Sequence, residues 1–317
     1  MGKVIASRLA RLVATLLAVT FLTFSMTALL PGDPVNAILG VEAVRDPEVV
    51  AKIRADLGLD DPFFIRYANW LKDAATGDLG QSYITDQDVL TTITQRLPVT
   101  AQLAFMAIVM ALILAIPIGV LGAYKQGKWQ DSSTSAGVQV ALSIPNFIVG
   151  IFLIWLFSVR LGWLPASNWN RLSTEGLIQN LKTAILPASA LAMTQMAIFS
   201  RLVRSDMIAT LQENYILAAR SKGLSDRFIL LRHALRPSSL SLMTIVGINF
   251  GALLGGTVII ESLFAIPGVG FRLINAIYQR DIIVIQGITV FIATAYVVIN
   301  TIVDLLYAVV DPRIRKG

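Results

Sequence analysis

The sequence predicts an all-α integral membrane protein with six membrane-spanning helices. Three observations carry that reading. The 317 residues are 55% hydrophobic and only 15% charged, with a mean hydropathy of +0.69, where an ordinary soluble domain is about 25% charged. The uncharged residues gather into long runs, each near the ~20 residues that a helix needs to cross a bilayer. Between those runs, basic residues concentrate in every second connecting segment, which is a topology pattern. The net charge of +6 therefore reflects loops at a membrane face and not a nucleic-acid surface. Cysteine is absent, which excludes a disulfide framework, a thiol nucleophile and a thiolate metal site.

The elements follow in chain order. Lys3, Arg8 and Arg11 precede Leu12–Leu30, an uncharged stretch of about 28 Å as helix. It is long for a signal peptide, and Ser25-Met26-Thr27 is a poor cleavage site, so residues 1–30 read as a retained first helix. Residues 31–97 form an external segment. Pro31, Gly32, Asp33 and Pro34 turn the chain. Asp46, Pro47 and Glu48 look like a helix start, and Val49, Ile53, Leu57 and Leu59 give a weak apolar stripe. Phe63, Phe64, Tyr67, Trp70 and Leu71 predict an aromatic helix near the membrane interface, and Gly77–Gln81 forms another turn.

Residues 98–317 form the core. Its spans fall at about 98–123, 135–159, 183–200, 238–260 and 282–309. Pro117 and Gly119 can bend the second. Pro145 and Asn146 interrupt the third, which requires neighbouring groups to satisfy the freed backbone. Trp163 and Trp169, after the third span, are interface anchors. Gly247, Gly251 and Gly255 recur at spacing four, followed by Gly256. This either brings helices close or reflects how common glycine is in membrane helices.

Six spans put both termini on one side. The N-terminus, the 124–134 loop, residues 201–237 and the tail hold 15 Lys and Arg against 5 acids; the opposite segments hold 11 against 14. The basic side, with both termini and residues 201–237, is expected to be cytoplasmic.

Catalytic chemistry is missing. Gly122, Gly127 and Lys128 spell GxxxxGK, but Trp129 replaces the required Ser or Thr and no strand precedes it. His233 is the single histidine and reads as a helix-surface or helix-end residue, so no paired-imidazole metal site is available. No G-x-S-x-G elbow occurs. The chain is therefore expected to be no enzyme, with no cofactor or metal of its own. Asp304, an acid in an apolar segment, is a functional candidate by default, though its place near the cytoplasmic end favours a structural anchor. No second acid is expected in the hydrophobic interior. The pathway is then lined by apolar, hydroxyl and amide groups, with Ser143, Asn146, Thr194, Gln195 and Asn249 as candidates.

The chain is organised around LQENYILAARSKGLSDRFILLRHALRP, residues 211–237. Tyr215, Ala218, Ala219 and Lys222 follow helical spacing, Gly223 breaks it, and a second helical pattern opens at Ser225. The stretch is too apolar for a free loop and too charged to span a bilayer, so a docking role is expected. It closely resembles the cytoplasmic EAA loop of binding-protein-dependent ABC importer permeases, above all the dipeptide/oligopeptide/nickel family. The resemblance rests on Tyr215, Ala218, Ala219, Arg220, Lys222, Gly223, His233, Ala234, Leu235 and Arg236. Leu217 stands where the wider family has glutamate, and Pro237 comes one residue late. LPGDP at 30–34, LGLD at 57–60, GDLGQS at 77–82, PIGVLGAYKQG at 117–127, ILPA at 185–188, PGVGFRLINAIYQRD at 267–281 and VDLLYAVVDPRIR at 303–315 extend the resemblance in order along the chain.

The resemblance implies a type I ABC importer permease fold in the bacterial inner membrane, the first permease of a pair. Its implied partners are a homologous second permease, two ABC ATPase subunits that use ATP and Mg, and an extracytoplasmic binding protein. Within a cytoplasmic coupling loop over 201–237, Tyr215, Ala218, Ala219, Arg220, Lys222, Gly223, His233, Leu235 and Arg236 would dock an ATPase, and residues 31–97 and 261–281 would meet the binding protein. Di- or oligopeptides are the implied cargo, with glutathione, nickel chelates, opines and oligosaccharides as alternatives. An ion-coupled secondary transporter, a channel and a purely structural subunit are the other classes; the first would require an intramembrane acid.

Overall fold

Pro145 breaks the third predicted span in the structure, a computed structural model that describes residues 2–28, 51, 54 and 60–310. The turn at 30–34, the helix start at 46–48, most of the 49–59 stripe and the tail after 310 lie outside the described residues, as does the side chain of Asp304. Twelve helices are described: α1 Gly2–Ala28, α2 Phe63–Ala75, α3 Val89–Tyr124, α4 Trp129–Ser143, α5 Asn146–Leu153, α6 Leu172–Leu211, α7 Asn214–Ser221, α8 Asp226–Phe228, α9 Leu235–Gly256, α10 Val258–Leu263, α11 Val269–Gln279 and α12 Ile282–Val310. Wider π turns extend α5 through Ile154–Arg160 and link α8 to α9 through Ile229–Ala234. No strand forms among the described residues; Gln81 and Asp88 make an isolated antiparallel bridge.

Three described helices are long and apolar enough to cross a membrane: α3, α6 and the Ile282–Val303 part of α12. Counting each of two bent pairs as one span raises the number to 5. The apolar part of α1, Ala10–Met26, is shorter. The described residues thus give a multi-pass all-α fold, but not clearly the six spans expected.

Several boundaries differ from the sequence reading. The third span is not a single helix over 135–159: residues 129–143 and 146–160 are bent by 96°. The cause is local, because Pro145 has no N–H to donate and holds Ile144 extended at ψ 120°. The helix predicted to start near Pro98 begins at Val89, where the Asp88 carboxylate caps it by accepting the Thr91 N–H at 2.6 Å. The fourth span extends from Leu172 to Leu211, with a break at Gly176 (φ 79°), so Arg201 and Arg204 belong to it and not to the coupling loop.

The chain divides into two compact units. Residues 1–100 and 267–301 form the first. Within it, α1 meets α2 through an aromatic cluster: Phe21 and Phe24 lie 5.3–6.0 Å from the rings of Phe63, Tyr67 and Trp70. Thr20 and Tyr67 share a hydrogen bond of 2.9 Å. Leu79, Val89, Ile93, Val269, Ala276, Val284 and Ile288 form a buried core. Beside it, the buried Asp281 carboxylate accepts the Ser82 hydroxyl at 2.5 Å and the Arg272 guanidinium at 3.2 Å. This polar node joins GDLGQS to PGVGFRLINAIYQRD, two motifs far apart in sequence. Burial, and behind it the Asp281 carboxylate, pushes the nearby Tyr83 hydroxyl up to about 12.

Residues 101–266 and 302–317 form the second unit, built on α6. Lipid chains are as apolar as leucine, so helices in a membrane associate through close packing and not through water exclusion. The buried face of α6 is accordingly rich in small residues: Ala184, Ala188, Ala190, Ala192 and Ala197. Its neighbours also approach through glycine. A Cβ on Gly119 would stand 2.7 Å from Val203 Cβ and 2.8 Å from the Ser200 carbonyl oxygen. Gly247 packs equally tightly on Val303, whereas Gly256 faces open space. Of the predicted glycines, Gly247 therefore serves close contact and Gly256 does not.

Candidate functional site

The coupling stretch begins where α6 stops. Glu213 turns extended and opens α7. Ile216 and Ala219 are buried on the inner face of α7, while Tyr215, Leu217, Ala218 and Arg220 face outward. Gly223 ends the helix with φ 77°, in the left-handed region that side chains disfavour. Its N–H bonds the Arg220 carbonyl at 2.9 Å and the Leu224 N–H bonds the Ala219 carbonyl at 3.3 Å. These are the two bonds of a Schellman stop. Ser225 is extended again, and the second helical segment follows.

Ile229 and Ala234 anchor that segment inward at 1% and 0% exposure. Tyr215 donates its hydroxyl to the His233 carbonyl at 3.4 Å, and the His233 ring packs on Phe228 at 5.3 Å. Burial, then the Glu213 carboxylate, raises the Tyr215 hydroxyl above its ordinary value, which keeps it a neutral donor. Leu235 is half-buried; Lys222, Arg232 and Arg236 are exposed. The outer face keeps Leu217, Phe228 and Leu231 at 56%, 42% and 54% exposure. Ser225, Arg227, Phe228, Leu231, Arg232 and Arg236 line an open groove of about 660 Å³. Apolar anchors ringed by arginines suit a protein partner with an acidic rim.

One hydrogen bond ties the element to α3, and α6 and α9 are bonded to each other at its two ends. Tyr124 at the end of α3 donates to the Asp226 carboxylate at 2.9 Å. Thr210 of α6 pairs with Ser238 of α9 at 3.1 Å. Ser241 of α9 donates to Asp206 of α6. The second helical segment also runs without a loop into α9.

Of the predicted pathway residues, the structure joins Asn146 and Thr194 by a hydrogen bond. Thr194 thus meets the first residue after the Pro145 break. Gln195 is buried, and its Oε1 has no hydrogen-bond partner among the described residues. Ser143 and Asn249 do not join this cluster: each donates to its own helix, to the Gln139 carbonyl at 2.9 Å and the Ile245 carbonyl at 2.8 Å.

Three polar features were not anticipated. Glu261, read as a loop residue, is fully buried and accepts the Thr257 hydroxyl at 2.9 Å. It is thus a buried acid at the end of the fifth predicted span, because α10 follows α9 and packs on α5 and α6. Arg204 grips Asp131 through two bonds of 2.6 and 2.8 Å. Gln102, Asn180 and the Asn170 carbonyl form a chain of amide hydrogen bonds. No group of three or more metal-ligating side chains occurs among the described residues.

Comparisons with known proteins agree in kind. The profile described as "Binding-protein-dependent transport system inner membrane component" matches residues 115–316, and its N-terminal companion matches residues 1–104. A putative peptide transport system permease protein of Brucella abortus (strain 2308) is 39% identical, with 99% of each chain covered. A dipeptide transport system permease protein of Alkalihalophilus pseudofirmus is 36% identical over 97% of this chain and 98% of its own. A glutathione transport system permease protein of Shigella flexneri is 34% identical over 98% of each. Among solved structures, a chain of the MetNI methionine ABC transporter matches in fold, with a TM-score of 0.53 at 17% identity, over 69% of this chain and 96% of that one.

Proposed function

Since the chain belongs to the binding-protein-dependent transport system inner membrane components, the permease subunits of ABC importers, we propose that it forms a translocation pathway for di- and oligopeptides. Its coupling element, residues 212–237, docks a partner ATPase. The observation that carries this reading is the helix–Gly223–helix element, whose outer face is apolar and basic, whose Asp226 accepts the Tyr124 hydroxyl of α3, and whose second segment packs on α6 and runs on into α9. Closure of two ATPase subunits on ATP pulls on α7 and the segment after Ser225. That segment continues into α9, so the displacement enters the membrane without a loop to absorb it. The pathway then alternates between outward and inward access.

The remaining parts of the proposal follow from charge and pattern. The basic segments lie in the cytoplasm, with both termini, and the chain makes six crossings. Residues 1–30, 31–97 and 98–317 act as first helix, external segment and core. A homologous second permease completes the pathway, and an extracytoplasmic binding protein delivers cargo to the external segment and residues 261–281. Asn146, Thr194 and Gln195 face cargo at the helix break, and Asp304 anchors the end of the last span. Glutathione is a second reading, favoured by the relative named for it and by its own chemistry as a tripeptide.

A photoreactive residue in place of Leu231 tests the docking role in membranes that hold the whole complex. Cross-linking to an ATPase subunit is expected there and not from Val140 on α4. A product with lipid alone at Leu231 would remove the docking assignment.

A further inference from the structure

A second cavity lies apart from the coupling groove, between α3, α4 and α6. Its volume is about 220 Å³, and its lining includes Thr134, Ser135, Gln139, Ser200, Arg201 and Arg204 beside the apolar Ile118 and Val138. The hydroxyls of Thr134 and Ser200 are committed to the carbonyls of Gln130 and Ala197. Arg204 spends its Nε and one Nη on Asp131, and a guanidinium retains further N–H donors. Arg201 is exposed, and among the described residues no carboxylate pairs with it. Asp131 neutralises one of the two arginines, so the cavity is left with net positive charge and unused donors from Arg201, Arg204 and Gln139.

We propose that this cavity seats the phosphate of an anionic phospholipid, with the acyl chains along Ile118 and Val138. The proposal rests on the reading that the 124–134 loop lies at the cytoplasmic membrane face. A lipid is favoured over free phosphate by the cavity's surroundings. Trp129, in the first turn of α4, is 75% exposed, as suits a residue at headgroup depth. Lys125 and Lys128 stand on the adjoining turn, and a basic pocket between helices on the cytoplasmic side suits an acidic headgroup. The lipid would brace α4 against α6 next to the helix break.

The test uses the delipidated whole complex, titrated with phosphatidylglycerol, phosphatidylethanolamine or inorganic phosphate and read by native mass spectrometry. Phosphatidylglycerol is expected to be retained over phosphatidylethanolamine. Arg201→Gln should weaken retention about tenfold, the size of one charge-assisted contact, and Arg201→Lys should restore much of it. Equal retention by Arg201→Gln overturns the proposal, as does displacement of the lipid by millimolar inorganic phosphate. Sidedness is read separately by an impermeant maleimide on Gln126→Cys in this cysteine-free chain. Labelling from outside overturns the cytoplasmic reading; cytoplasmic labelling with unchanged lipid retention overturns the lipid site alone.

Discussion

Replacing Gly223 with alanine and with asparagine separates two reasons for glycine at the coupling turn. Its φ is 77°, a conformation that costs a residue with a Cβ roughly 1–2 kcal/mol. A Cβ placed there meets nothing within 4 Å in this chain. Alanine therefore carries only backbone strain, which shifts the turn's local equilibrium about 5–30-fold. Asparagine tolerates the left-handed region better than alanine, so strain alone makes it the milder change. A docked ATPase reverses that order, because the larger side chain occupies the space the partner needs. The assay is co-purification of the ATPase subunits with the permease, alongside ATP-driven uptake. Both variants should reach the membrane in near-native amount, and asparagine should lose at least as much ATPase as alanine. Near-native coupling with asparagine and a defect only with alanine would refute the reasoning and leave Gly223 a purely local turn residue.

Other predictions follow from packing and polar nodes. Asp281→Asn leaves Arg272 buried without its counter-charge, a loss of about 3–5 kcal/mol for such pairs; thermal unfolding of the purified complex should fall sharply, and an Arg272→Met/Asp281→Leu double variant should be less damaged than Asp281→Asn. Gly119→Ala drives a methyl against the Ser200 carbonyl at 2.8 Å, which backbone cannot yield, and should cost about 1–3 kcal/mol. Gly256→Ala, with open space around it, should be tolerated in the same stability assay. Asp88→Ala should cost about 1 kcal/mol by uncapping α3, and Asp88→Asn much less. The Thr91 hydrogen bonds hold the Asp88 carboxyl below its ordinary value. Its stabilisation is therefore full above about pH 3.9 and lost as pH falls through the folded value. Acid titration of unfolding should show that loss in the native chain and not in Asp88→Asn.

The coupling element was the most legible part of the chain, because its information is local: helical spacing to Lys222, a glycine, then Ser225. The structure repeats that order residue by residue, down to the stop at Gly223. The aromatic helix at Phe63–Ala75 was equally plain from its ring spacing. Helix ends were harder. Hydropathy marks where apolar residues stop, but α6 continues as helix through Arg201 and Arg204, because helical hydrogen bonds do not require apolar side chains. The break at Pro145 was visible as a proline; its 96° consequence was not, since the angle depends on packing. Long-range pairs were invisible. Asp131 and Arg204, or Ser82, Arg272 and Asp281, look like ordinary polar loop residues until the fold brings them together. Glu261 was misplaced for the same reason, since burial is a tertiary property.

The central claim is that this permease moves peptides under power supplied by partner ATPases. The most direct measurement is uptake of a labelled di- and oligopeptide panel by the whole complex in proteoliposomes, with binding protein outside and ATP inside. Saturable uptake that requires both is the expected result. Uptake driven by an ion gradient without ATP, or indifferent to the binding protein, would contradict the account.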